Sequence, residues 1–223
     1  MGDLPGTFNR SCDTMESTVK EAIKNLKNTK RNFVQSIELA INLKDLDLKQ
    51  PESRVRVEVS LPKGKGKPTR VGVFAEGDMA QQGKKQGLDV FSKEEIDELG
   101  QDKRKAKLIA ESHEFFIAQA DLMPAIGRSL GPVLGRRNKM PKPVPPVAPL
   151  EPLLKKMQQS INIDSKNKPV IHCIIGTEEM SDDDLAENAV AVITAVERLL
   201  PGGENNISSI YMKTTMGKPI KVM

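Results

Sequence analysis

The sequence predicts an α/β protein of two domains, one split between the two ends of the chain and one inserted into it. Three observations carry this prediction. Both ends combine alternating apolar strands with amphipathic helices, yet neither holds enough apolar surface to stand alone. Residues 68–156 alternate short apolar runs with helical ones over short connections, the pattern of a parallel sheet with helices on both faces. Stretches rich in proline, glycine and cations mark the junctions. The expected architecture is a split two-layer α+β domain of residues 1–67 and 157–223, holding both termini, and an inserted three-layer α/β domain of residues 68–156 joined to it by two linkers.

The elements follow in order. Ser11–Lys27 places Met15, Val19, Ile23 and Leu26 on one helical face. "FVQSIELAINL" alternates, with Ile37, Leu39, Ile41 and Leu43 on one side and Ser36, Glu38, Ala40 and Asn42 on the other, as in a half-buried strand. Phe33 shares the apolar parity. After the polar loop "KDLDLKQPES", "RVRVEVSL" repeats the alternation with Val55, Val57, Val59 and Leu61 inward. "PKGKGKPTR" then packs two glycines, two prolines and four cations into nine residues and reads as a flexible boundary.

The inserted segment reads as strand "RVGVFAEG", helix "DMAQQGKKQG", strand "DVFS", helices "KEEIDEL" and "KRKAKLIAES", strand "FFIAQA" and helix "DLMPAIGRSLG" opened by Asp121. "GRRNKMPKPVPPVAP", with five prolines and four cations, is expected to be a loop. The returning chain reads as helix "EPLLKKMQQSI", buried strand "KPVIHCIIG", a helix from Ser181 to Leu200 and the strand "NISSIYMKTTMG". Ser181 suits an N-cap, the three aspartates after it suit the positive end of the helix dipole, and Pro201-Gly202-Gly203 stops the run.

Composition narrows the function. A chain of 223 residues, 38% hydrophobic and 29% charged, fits a soluble globular protein. Cys12 and Cys173 lie far apart with no ligand spacing, which argues against a disulfide scaffold and against zinc; no metal or cofactor is expected. His172 adjoins Cys173, but strand neighbours point to opposite faces. No signal-peptide core or membrane span is legible, so a cytoplasmic protein is expected. The net charge of +4 is modest: residues 1–67 carry +4, 68–156 carry +3 and 157–223 carry −3. Phosphate binding therefore needs a local patch built by folding. No phosphate-binding glycine loop appears, His113 reads as a solvated or capping residue, and no catalytic residues are assigned. The rival reading is a small-molecule or nucleotide-binding enzyme that uses the inserted α/β domain.

Four stretches, "RNFVQSIELAINLK", "SLPKGKGKPTRV", "LGPVLGRRNKMP" and "YMKTTMGKP", in that order and spacing, resemble the family of the first-numbered protein of the large ribosomal subunit, which sits in the mobile stalk beside the exit site. The resemblance spans about Arg31 to Lys218 and looks archaeal. It implies a Rossmann-like inserted domain and a split domain that binds large-subunit rRNA. It further implies a role in release of transfer RNA from the exit site, repression of the protein's own messenger RNA, and a free protein that is monomeric. Carried over residue by residue, the RNA contacts fall on Phe33, Ser36 and Glu38 in the first strand and on Thr215, Met216 and Gly217 in the last turn, with Lys168 and His172 near the matching central strand.

Those residue types suit folded RNA, which is read by shape and 2′-hydroxyls. Hydroxyls of Ser36 and Thr215 exchange hydrogen bonds with ribose and Glu38 accepts one. Met216 packs without an aromatic ring, and Gly217 allows close backbone approach. Lys213, Lys218 and Lys221 flank the turn, and the "KGKGK" and "GRRNKMPK" loops suit phosphates. One departure stands out: Arg136 and Asn138 replace the proline and glycine of the family's usual "LGPRGKMP".

Overall fold

The computed structural model describes residues 8–26, 31–46, 54–146, 149–165 and 168–223, with side chains from Met15 onward. The expected helix end at Lys27 and most of the expected loop at 44–53 lie outside the described residues. Contacts divide the chain into two compact units, Met1–Lys67 with Gln159–Met223, and Pro68–Gln158. The first unit opens with α1 (Phe8–Asn25), β1 (Ser36–Leu43) and β2 (Arg56–Ser60). The second contains β3 (Val71–Phe74), α2 (Gly77–Lys85), β4 (Asp89–Phe91), α3 (Lys93–Gln101), α4 (Lys103–Ser112), β5 (Phe115–Gln119), α5 (Met123–Ser129), α6 (Gly131–Leu134), β6 (Lys142–Val144) and α7 (Leu150–Gln158). The chain returns to the first unit with β7 (Ser160–Asp164), β8 (Val170–Thr177), α8 (Asp182–Glu197), β9 (Ile207–Thr214) and β10 (Ile220–Lys221).

In the split unit, β10, β9, β1 and β8 form one antiparallel sheet in that order, and β2 pairs with β7 in a second. The alternation seen in the sequence decides which face is dry. Leu39 and Ile41 of β1, Ile171 and Ile175 of β8, and Ile210 and Met212 of β9 are buried against α1 and α8, with Val59, Ile161 and Ile163 completing the same core. Each such aliphatic side chain contributes about 1.5–3 kcal/mol on full burial. The opposite face of the sheet carries Glu38, Ala40 and Asn42 of β1, His172 and Ile174 of β8, and Tyr211 and Lys213 of β9, all exposed or half-buried. α8 begins as expected: the Ser181 hydroxyl accepts from the Asp184 N–H at 3.2 Å, fastening the first turn.

The inserted unit has a four-stranded parallel sheet, β4-β3-β5-β6. Phe74 and Phe116 face α3, α4, α5 and α6 on one side; Val73 and Ile117 face Met79 of α2 and Leu150, Leu154 and Met157 of α7 on the other. The layering is thus helix, sheet, helix. Stacking of Phe74 on Phe116, at 5.5 Å between ring centroids, concentrates the few aromatic rings of the chain inside this unit.

Three expectations need correction, and a fourth, for His113, holds in one of its two alternatives. The proline-rich stretch expected to be wholly loop contains β6, which among the described residues pairs only with β5; Pro143 is tolerated because an edge strand leaves one side of its ladder empty. The helix expected to run to Ile161 ends at Gln158, and Ser160–Asp164 is the strand that partners β2. Asp121 does not open α5: a 3-10 turn over Ala120–Leu122 intervenes, and Asp121 accepts a hydrogen bond from Gln119 Nε2 at 3.1 Å. His113 caps α4 at its C-terminal end but is buried rather than solvated, with Nε2 2.8 Å from Asp89 Oδ2.

Candidate nucleic-acid interface

β9 ends in a tight turn. The Gly217 N–H donates to the Thr214 carbonyl at 3.1 Å, so Thr214–Gly217 forms a β-turn with Thr215 and Met216 at its tip. A Cβ added at Gly217 would collide with the buried Thr214 hydroxyl, and a β-branched side chain has little freedom to give way. The glycine is therefore required by the turn itself. Met216 is 57% exposed, so its side chain is open to a partner at the tip of the turn.

Thr215 ties this turn to the start of β1. Its hydroxyl accepts from the Ser36 N–H at 3.0 Å and donates to the Ser36 carbonyl at 3.2 Å, and its own N–H donates to the same carbonyl at 3.0 Å. The hydroxyl's one proton is thus committed to backbone, leaving a single lone pair for anything else. The Ser36 hydroxyl in turn accepts from Lys67 Nζ at 3.0 Å, and Lys67 also donates to the Val34 carbonyl at 3.3 Å. Phe33, just before β1, is 51% exposed rather than packed into the core as its parity allowed. Glu38, on the open face, lies directly across from Lys213 and pairs with it at 3.8 Å.

The corner thus brings together Ser36, Thr215, Met216 and Gly217, with Phe33 on the segment leading into it and Glu38 two residues along β1. His172 and Lys168 are placed elsewhere. His172 is exposed on the open face but opposite Ala40, four residues or about 13 Å along the strand from Ser36. Lys168 is exposed beyond Val170, which pairs with Asn42 near the far end of β1. A ligand touching Lys168 as well as the corner must extend along the whole sheet.

Two residues of the corner escaped the sequence reading, Gln35 and Glu178, while Lys67 was legible only as the last cation of the "KGKGK" loop. Gln35 is buried and bridges the turn after β9 to the turn after β8. One sequence signal points to it, a glutamine on the parity otherwise held by Ile37, Leu39 and Ile41.

The lysines expected to meet phosphates in "KGKGK" are largely engaged. Lys63 pairs with Glu187 at 3.3 Å and Asp184 at 3.5 Å, and these carboxylates, Glu187 foremost, hold its ammonium pKa above the ordinary value. Lys65 is buried. The segment is also pinned: fully buried Asn188 of α8 accepts from the Lys63 N–H at 3.1 Å and donates to the carbonyls of Gly64 and Ile175 at 2.9 Å each. In the inserted unit Arg136 is exposed, whereas Arg137 pairs with Glu111 at 3.1 Å. Asn138 adopts φ +56°, a left-handed conformation that asparagine tolerates and glycine ordinarily supplies. Lys139 donates to the carbonyls of Ala110 and His113, and burial pushes its pKa down.

Burial pushes the Cys173 thiol up to about 12, in keeping with its expected place in the core. Among the described residues no cluster of three His, Cys, Asp or Glu side chains has metal-ligand geometry, and no helix is long and apolar enough to cross a membrane.

Comparison with known proteins bears on nearly the whole chain. The model of the ribosomal protein L1p/L10e family matches residues 19–218. The large ribosomal subunit protein uL1 of Thermococcus kodakarensis is 51% identical over 205 residues, covering 92% of this chain and 94% of that protein. Proteins of the same name from Methanothermobacter thermautotrophicus and Archaeoglobus fulgidus are each 46% identical over 212 residues, covering 94% and 95% of this chain and 100% and 98% of theirs. A match of that extent and identity makes the chain a member of the ribosomal protein L1p/L10e family, of the archaeal type.

Proposed function

We propose that the chain serves the large ribosomal subunit by binding folded rRNA at the mobile exit-site stalk through the corner of its split unit. The observation that carries this reading is the turn itself. An exposed methionine is held at its tip by a backbone bonded on both sides, a fixed apolar knob suited to packing against ribose and base edges. Phe33 adds a second exposed apolar surface, Ser36 a hydroxyl, Glu38 an acceptor, and Lys67 and Lys213 nearby charge. His172 and Lys168 extend the contact along the open face for a long RNA helix.

As a structural ribosomal protein the chain is a component of the cytoplasmic ribosome and is not an enzyme, which removes the rival reading of residues 68–156. The finer proposal includes a contact with transfer RNA leaving the exit site. It also includes repression of the chain's own messenger RNA, where a stalk-like fold in the messenger presents the same surface to the same corner. The free protein acts as a monomer.

The test is titration of the full chain with a stalk rRNA fragment and with the leader of its own messenger, against an unrelated RNA hairpin. The stalk fragment binds at least a hundredfold more tightly than the hairpin, the leader competes with it, and few phosphates are engaged. The slope of log affinity against log salt is then on the order of −2 to −3. Equal affinity for all three RNAs contradicts the reading.

A further inference from the structure

Gln35 is only 1% exposed, yet all of its polar groups face turns from distant parts of the chain. Its Oε1 accepts from the Met216 N–H at 3.2 Å. Its Nε2 donates to Glu178 Oε2 at 3.2 Å, and its backbone N–H donates to Glu178 Oε1 at 3.0 Å. The Gln35 carbonyl accepts from the Glu178 N–H at 3.0 Å. Three segments meet here: the approach to β1, the turn after β8 and the turn after β9.

We infer that Gln35 and Glu178 are a positioning pair for RNA recognition, setting the direction in which Met216 is presented while touching no RNA themselves. The inference rests on the proposal that the corner binds RNA. The chemistry allows one arrangement of the amide. A backbone N–H only donates and a carboxylate only accepts, so the amide oxygen must face Met216 and the amide nitrogen must face Glu178. Alanine at 35 leaves the Met216 N–H without its partner and frees the turn on that side. Glutamate at 35 accepts from Met216 but sets two carboxylates against each other. Exchanging both groups restores the pattern: a carboxylate at 35 accepts from Met216 and from an amide at 178, whose oxygen accepts the backbone N–H of residue 35.

Affinity for the stalk rRNA fragment is measured for the full chain and for Met216→Ala, Gln35→Ala, Gln35→Glu and the double exchange Gln35→Glu with Glu178→Gln, each at several salt concentrations. Met216→Ala reports on the site alone and weakens binding about tenfold. Gln35→Ala and Gln35→Glu each weaken it roughly tenfold with an unchanged salt slope, because no phosphate contact is lost. The double exchange returns affinity to within about threefold of the parent. Hydrogen exchange of the Met216 amide in the free parent protein supplies a readout that needs no variant, and the amide is protected. If Met216→Ala has no effect, the RNA-site reading fails and takes this inference with it. If Met216→Ala weakens binding but Gln35→Ala does not, the positioning role alone is overturned. An unprotected Met216 amide, or a folded double exchange that stays as weak as Gln35→Glu, overturns it equally.

Discussion

Glu197, near the end of α8, has one carboxylate oxygen buried without a hydrogen-bond partner. Burial first, and the nearby charge of Glu204 second, raise its pKa above the ordinary carboxylate value. A carboxyl whose pKa is raised by folding favours the folded state below its unfolded pKa and loses that contribution as pH rises through the folded one. Glu197→Gln therefore raises the melting temperature at pH 7, and the gain shrinks as pH falls through the ordinary carboxylate range. Thermal unfolding followed at pH 7 and pH 4 checks this; an equal gain at both values contradicts it. Such a residue was not legible in the sequence, where Glu197 is one more charge on a helix. Met216 and Phe33 were legible as candidates but not as exposed: strand parity allowed Phe33 a place in the core, and only the turn geometry shows Met216 standing out.

Among the elements, β1 and α8 could be read directly because their apolar residues keep one period from end to end and α8 carries its own cap and stop; β9 keeps it from Ile210 onward, with Ile207 out of phase across an irregular step in its pairing with β1. β7 was hidden for a specific reason. Leu150, Leu154, Met157 and Ile161 keep helical spacing across the helix end, leaving only Ile161 and Ile163 to signal the strand. β6 was hidden by Pro143 and the prolines flanking it, which exclude a central strand but not an edge one. The segment Pro62–Lys67 read as flexible because glycine and proline say nothing of a partner 125 residues away. Asn188→Ala removes that partner and three hydrogen bonds with it. It destabilises the split unit by about 2–4 kcal/mol, measured by urea unfolding. Asn188→Asp does not rescue it, since a carboxylate cannot donate to the two carbonyls. A stability loss under about 0.5 kcal/mol for Asn188→Ala would show that the segment is not held by this residue.

At the scale of the whole molecule, the charges of residues 1–67 and 157–223, +4 and −3, nearly cancel, and the basic excess of 68–156 is also small. Long-range attraction to polyanions is therefore weak, and selectivity must come from fit at one place. The proposed site lies within one of the two units. The split unit's sheet is closed on one face by its helices and open on the other, and its turns converge at the corner around Ser36 and Thr215. On the proposed reading the scarcity of aromatic residues is no obstacle, because most sit in the core of the inserted unit and the corner offers Phe33, a methionine, hydroxyls and backbone. The central claim is that RNA is held at this corner. Ultraviolet crosslinking of the full chain to a stalk rRNA fragment, followed by peptide mapping, tests it most directly. The account predicts crosslinks concentrated in residues 31–38 and 213–218, lost when Met216 and Phe33 are both replaced by alanine; crosslinks concentrated in residues 68–158 would contradict it.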